Sequence, residues 1–278
     1  MPPLTIVIDL DPNLIQLGPF LVTWHGVFSV LGIIAAARLG AWLLERRDGV
    51  TPDRVYDMAF WMIVAGLIGA RLLYVWENYQ QFAGGPWYKP LLLNEGGISQ
   101  WGGIFGALIG GYLWSLRNRF SYWKVIDAAG PANAVGFLIG RIGDVINGEH
   151  HAIPTTLPWG VEYVNPHTLG QPGLVVHPEV AYEMVLCLLL LGALLPFWNR
   201  MRDQLPAGVT GLTWLALYAA GRTLLSFLRE DSLFLGLRQA QWAGLAMVAI
   251  WAIAVPILLR RQRRRQPEPE DPAMEAVA

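Results

Sequence analysis

Long apolar runs broken by short polar segments dominate this chain. A bilayer's hydrocarbon core is about 30 Å thick, and a helix needs about twenty mostly apolar residues to cross it. Seven stretches meet or approach that length: residues 19–44, 55–76, 98–116, 125–147, 177–198, 208–228 and 239–259. The pattern predicts an all-α polytopic membrane protein with seven transmembrane helices. The fourth stretch is the least regular, because Asp127, Pro131, Asn133 and Arg141 interrupt it. Such a helix has to face protein or water, since lipid tails cannot satisfy its polar groups. We read residues 1–260 as a single integral-membrane domain, with the proline- and glycine-bearing segment 151–176 as a small extracytoplasmic cap. Residues 261–278 read as a cytoplasmic tail, basic and then acidic, whose acidic end is expected to be disordered.

Composition agrees with a bilayer as solvent: 54% of the 278 residues are hydrophobic and 15% charged, against about a quarter charged in soluble domains. A net charge of −1 offers nothing to a nucleic acid. The position of charge says more than its sum. With the N-terminus outside, thirteen Lys and Arg residues fall on the inner side, among them Arg46, Arg47, Arg54, Lys124 and the arginines after position 259, and three (Lys89, Arg229, Arg238) on the outer side. The positive-inside rule therefore predicts N-out, C-in. The first residues lack the basic start and small-residue cleavage site of a signal peptide, so the first apolar helix is expected to stay. The lone Cys187, inside MVLCLLLLGALL, reads as a small hydrophobe.

Four arginines lie inside predicted spans. Arg38, near the inner end of the first, can snorkel to the interface. Arg71, Arg141 and Arg222 fall in the outer halves of theirs, and His25, Gln100, His177, Tyr182 and Glu183 are placed at the same depth by helices running the other way. A charge inside a membrane costs at least about 2.5 kcal/mol on insertion scales, so it pairs, lines water or binds something. One reading is pairing: Arg71 with Glu77 or Glu183, Arg141 with Glu149, Arg222 with Glu183. The other is that three arginines with few carboxylates nearby leave positive charge over, which suits an anion, and at that depth the anion is a lipid phosphate. GGISQWGGIFGALIGG puts small residues at the spacing that lets helices approach closely. His150, His151 and His167 lack the spaced companions of a metal site and read as solvated loop residues.

Several of these segments resemble the bacterial prolipoprotein diacylglyceryl transferases. GRIGDVINGE (140–149) is similar to that family's signature GRxGNFINGE, and LVTWHGV, GARLLYV, GGISQWGG, HPEVAYE and GRTLLSFLR match further motifs in order along nearly the whole chain. The resemblance implies transfer of the diacylglyceryl group of phosphatidylglycerol to the lipobox cysteine thiol of a prolipoprotein, forming a thioether and releasing glycerol phosphate, in the bacterial cytoplasmic (inner) membrane. It implies no metal or organic cofactor. Its partners would be phosphatidylglycerol, prolipoprotein signal peptides with a lipobox cysteine, and membrane lipids. It implies phosphate-binding roles for Arg141 and Arg222 and carries over Glu149 as the signature's acidic residue. Arg71, Tyr74, Asp144, Asn147, Gly148, His177, Pro178, Tyr182 and Glu183 fall on motif positions expected at the substrate.

The chain departs from the family pattern at five positions. His25 stands where a tyrosine is usual, Trp101 where the third-helix histidine is usual, Asp144 for the signature's first asparagine, Ala152 for a glycine and Ser226 for a glutamate. Two readings follow. In one, His25 supplies the base absent at position 101, because histidine titrates in the right range. In the other, the fold and phosphate site persist in a paralogue that binds phospholipid headgroups or transfers a different one. Anion transport is a further class, and the gathering of polar residues into one outer layer with no evident inverted repeat speaks against it.

Overall fold

A computed structural model describes residues 5–18, 20–86, 88–92, 97–148, 152–201 and 204–264. Its frame is helical. The long helices are α1 (Trp24–Asp48), α2 (Pro52–Glu77), α4 (Gln100–Arg117), α5 (Tyr122–Asn147), α6 (Glu179–Met201), α7 (Val209–Leu225) and α8 (Gln239–Arg263), with the single turn α3 (Tyr79–Phe82) after α2. Each of the seven long helices overlaps one of the predicted stretches. Among the described residues α1, α2, α6 and α8 are long and apolar enough to cross a membrane by length and composition. α4 and α7 are shorter, at 18 and 17 residues, and α5 carries Lys124, Asp127, Arg141 and Asp144.

The first predicted stretch began too early. Residues ahead of Trp24 form an antiparallel hairpin, β2 (Asn13–Leu17) with β3 (Phe20–Thr23), in which Leu17 faces Phe20 and Ile15 faces Val22. Apolar strand residues running directly into an apolar helix hide the boundary. Thr23 marks it instead: its backbone is extended and its hydroxyl accepts from the Gly26 N–H at 3.1 Å, an N-cap. His25 is thereby fixed in the first turn of α1.

α1 lies along α5, and α2 along α4, while the two pairs touch each other far less. The glycines of the α4 motif explain the second pairing. A Cβ on Gly102 would lie 2.2 Å from the Gly69 carbonyl oxygen, so the helices meet backbone to backbone. Toward one end of the bundle, Leu43, Leu44, Val55, Met58, Trp114, Val125 and Trp198 form a buried cluster. A polar lock closes that end. Asp127, 1% exposed, accepts from Arg47 Nη1 at 2.6 Å, Thr210 Oγ1 at 2.7 Å and the N–H groups of Gly208 and Gly211 at 2.9 and 2.8 Å. The carboxylate thus caps the start of α7 from a neighbouring helix, where the helix dipole favours negative charge.

At the other end, strands build a small cap. β1 (Ile6–Ile8) pairs parallel with β4 (Val161–Tyr163), which pairs antiparallel with β5 (Val175–Val176). The N-terminal residues therefore join the segment predicted as a cap. A second hairpin, β6 (Leu233–Phe234) with β7 (Leu237–Arg238), connects α7 to α8.

Candidate functional site

Beneath the cap, a continuous line of charged side chains crosses four helices. His25 Nδ1 (α1) lies 2.5 Å from Asp144 Oδ1 (α5), and Arg141 Nη1 donates to Asp144 Oδ2 at 2.5 Å. Arg141 Nη2 donates to Glu183 Oε1 on α6 at 3.0 Å, and the Tyr218 hydroxyl on α7 donates to the same oxygen. Arg222 Nε stands 3.4 Å from Glu183 Oε2, and its Nη1 donates to Glu179 Oε1 at 2.6 Å. Arg229, just past α7, reaches Glu179 Oε2 at 3.1 Å and Asp231 at 2.7 and 3.0 Å.

The expectation of surplus positive charge is corrected by this line. Among the described residues Arg141, Arg222 and Arg229 face Asp144, Glu179, Glu183 and Asp231, so the four carboxylates outnumber the three guanidiniums. Glu179 and Glu183 are one helical turn apart on α6 and present their carboxylates on one face, and Asp144 follows Arg141 by three on α5. Such placement offsets part of the cost of burying charge and preorganises the guanidiniums.

Local sequence explains the approach of α1 to α5. A Cβ on Gly143 would fall 2.6 Å from the His25 Cα, so only glycine lets the first turn of α1 rest there. His25, Arg141 and Asp144 together line a cavity of about 290 Å³, walled otherwise by Ser29, Asn133 and small or apolar residues such as Gly32, Gly136 and Phe137. Ile33, Ala36 and Asn133 also border a second cavity of about 470 Å³, which lies between α1, α2, α4 and α5 and is lined mostly by apolar side chains. A chamber that carries His25, Arg141 and Asp144 on one side thus adjoins a mostly apolar one.

The remaining anticipated residues sit elsewhere. Arg71 is buried and donates to backbone carbonyls: Nε to Pro90 at 2.6 Å, Nη1 to Gly97 at 2.8 Å, and Nη2 to Leu92 and Lys89 at 3.0 and 3.3 Å. It clamps the segment ahead of α4, and its guanidinium lies 5.6 Å from the Tyr74 ring. Tyr74 in turn packs on Gly97, whose φ of +80° needs glycine. His177 Nδ1 is 3.5 Å from the Tyr182 hydroxyl, which accepts from Trp159 Nε1 at 2.7 Å, joining the cap to α6. The Asn147 carbonyl accepts from Leu169 N and Thr168 Oγ1, and Gly148 ends α5 with φ +67° under the same loop. These contacts fasten the cap to the signature. Tyr163 belongs to that seam: burial first, then the Asp144 carboxylate, push its phenol up to about 12. Glu149, His150 and His151 lie outside the described residues.

Of the departures, Trp101 stacks on Phe105 with ring centroids 6.0 Å apart. Ser226 is fully buried and donates to the Thr223 carbonyl at 2.6 Å. Ala152 is buried and bridges to Arg229. His167 pairs with Asp11 at 2.9 Å on the exposed side. Glu179, Tyr218, Arg229 and Asp231 join the charged line without having been anticipated. The spacings Glu179–Glu183 and Tyr218–Arg222, each one helical turn, were the available signal.

Residues 12–257 match the family described as prolipoprotein diacylglyceryl transferase. A phosphatidylglycerol–prolipoprotein diacylglyceryl transferase of Gloeobacter violaceus is 36% identical over 260 residues, covering 92% of this chain and 95% of the relative. Proteins of the same name from Dehalococcoides mccartyi and Synechococcus elongatus are 33% and 34% identical; the alignments cover 93% and 89% of this chain, and 96% and 85% of the relatives. With the motif order, the helical frame and these likenesses in agreement, the chain belongs to the prolipoprotein diacylglyceryl transferase family.

Proposed function

We propose that this protein transfers the diacylglyceryl group of phosphatidylglycerol to the lipobox cysteine thiol of prolipoproteins, at the outer face of a bacterial cytoplasmic membrane. The seven long helices are taken as seven spans with the N-terminus outside. That orientation is supported by the basic residues at the end of the bundle where Arg47, Lys124 and Asp127 lie, opposite the cap. The observation that carries the reading is the charged chamber of His25, Arg141 and Asp144 opening beside an apolar one. Such a pair suits a molecule with a phosphodiester head and hydrocarbon tails.

Each group has a task. Arg141, with 17% of its side chain exposed, and Arg222, with 16%, are accessible enough to donate to a phosphodiester. Their carboxylate companions hold them in place before substrate arrives, and charge that builds on the leaving phosphate is met by donors already oriented. His25 takes the thiol proton, because a thiolate is the effective nucleophile. Glu149 and the cap-seam residues Asn147, Gly148, His177 and Tyr182 complete the substrate side, and Arg71 and Tyr74 shape the segment ahead of α4.

Trp101 favours a second reading, since it replaces the family's usual histidine with a ring that has no basic nitrogen. In that reading the protein holds phospholipid headgroups without transferring the diacylglyceryl group. Membranes carrying the chain, supplied with a prolipoprotein reporter and either phosphatidylglycerol or phosphatidylethanolamine, separate the two. A reporter gaining one diacylglyceryl thioether with phosphatidylglycerol alone supports transfer. Lipid binding with an unmodified reporter, at full expression, establishes the second reading.

A further inference from the structure

The structure assigns Asp144 the role of a positioning residue: one carboxylate holds the His25 imidazole in its Nδ1–H tautomer and, through its other oxygen, sets Arg141 beside it. This inference rests on the transferase reading and adds the device by which base and guanidinium share one geometry.

Burial separates the three roles. Asp144 retains 5% of its side-chain exposure, whereas His25 retains 43% and Arg141 17%. Substrate can meet the ring and the guanidinium, while Asp144 acts through them. Its two oxygens are divided between them, Oδ1 at 2.5 Å from His25 Nδ1 and Oδ2 at 2.5 Å from Arg141 Nη1. A carboxylate accepts and does not donate, so at this distance the ring's proton resides on Nδ1 and Nε2 is the basic nitrogen. A carboxylate behind an imidazole fixes its orientation and stabilises the imidazolium that forms. The titratable groups among the cavity's described lining residues are these three, with uncharged Ser29 one turn along α1 and Asn133 across on α5. Tyr163 of β4 approaches Asp144 from the cap and stays neutral. Gly143, next to Asp144 in sequence, admits the α1 backbone that carries His25.

The step balances. The thiol proton moves to His25 Nε2, and the sulfur pair forms a bond to the diacylglyceryl methylene carbon. The carbon–oxygen bond to phosphate breaks, and its electron pair leaves on the glycerol phosphate. The imidazolium, balanced by Asp144, then returns its proton to the phosphate or to water.

Nitrogen-15 NMR of histidine-labelled protein in micelles, with His25 assigned by His25→Gln, reads the tautomer without any turnover. In the wild-type protein with the ring neutral, the Nδ1–H form is expected. Asp144→Ala should relax it toward the Nε2–H form that free imidazole prefers, and should lower kcat about 10- to 100-fold with KM for phosphatidylglycerol changed far less. An Nε2–H ring in the wild-type protein overturns the assignment on its own, even where Asp144→Ala does not fold. An unchanged tautomer in a folded Asp144→Ala protein overturns it too. A wild-type protein with the Nδ1–H ring and no product counts against the transferase reading and leaves the positioning role standing.

Discussion

Replacing Arg141 with alanine separates its structural duty from its chemical one. The guanidinium bridges Asp144 and Glu183, whose side chains are 5% and 0% exposed. Removing one member of a buried ion pair costs about 3–5 kcal/mol, because the carboxylate left behind is desolvated and uncompensated. Tyr218 still donates to Glu183 and Arg222 remains 3.4 Å away, so the lower end of that range is expected. The chemical loss adds to it. Removing one preoriented donor from a developing anion lowers rates about 10²- to 10³-fold. Arg141→Lys keeps the charge and loses the planar fork, so it cannot serve both carboxylates and a phosphate at once. It should unfold closer to wild type yet transfer at least about 10-fold more slowly. The assay is transfer from labelled phosphatidylglycerol to a lipobox peptide in mixed micelles, with thermal unfolding of the same samples. Arg141→Ala protein that folds and retains more than about a tenth of wild-type transfer would rule out a phosphate-binding role for Arg141, since a loss below about 1.4 kcal/mol is too small for a phosphate donor.

Three further outcomes follow from the packing. Gly143→Ala forces a methyl group to within 2.6 Å of the His25 Cα; overpacking should cost about 1–3 kcal/mol, and transfer should fall further than stability, as paired melting and rate measurements will show. Asp127→Asn removes the charge facing Arg47 and weakens the cap on α7, so the melting temperature should drop while the folded fraction keeps its specific activity. For Tyr163, a pKa raised above the ordinary value of 10 to about 12 means stability fully present below pH 10 and lost as pH rises through about 12. Tyr163→Phe should therefore flatten that alkaline limb in a pH-resolved unfolding series.

Helices were legible in the sequence because runs such as MVLCLLLLGALL have no other stable state in a bilayer. The first boundary was not, since the apolar β2–β3 hairpin runs into α1 and hydropathy alone does not register Thr23 as a cap. The glycines of α4 could be read as a packing face, and Gly69 against Gly102 bears that out. Ion pairing was the harder inference. It depends on the rotation of α5, α6 and α7 about their axes, which periodicity constrains only loosely, so Glu179, Tyr218 and Arg229 escaped notice beside Glu183 and Arg222. Arg71 is held in another way. A membrane-embedded arginine suggests an anion, and among the described residues its donors meet the carbonyls of Lys89, Pro90, Leu92 and Gly97, contacts that no local pattern announces.

In the proposed site a base and a guanidinium from separate helices gather around one phospholipid headgroup beneath the cap. Wild-type and His25→Phe proteins in micelles of phosphatidylglycerol, assayed together for lipid binding and for diacylglyceryl product on a cysteine reporter, address it directly. Equal binding with product from the wild type alone is the predicted result. Product from His25→Phe at the wild-type rate would exclude His25 as the base and with it this arrangement of the site.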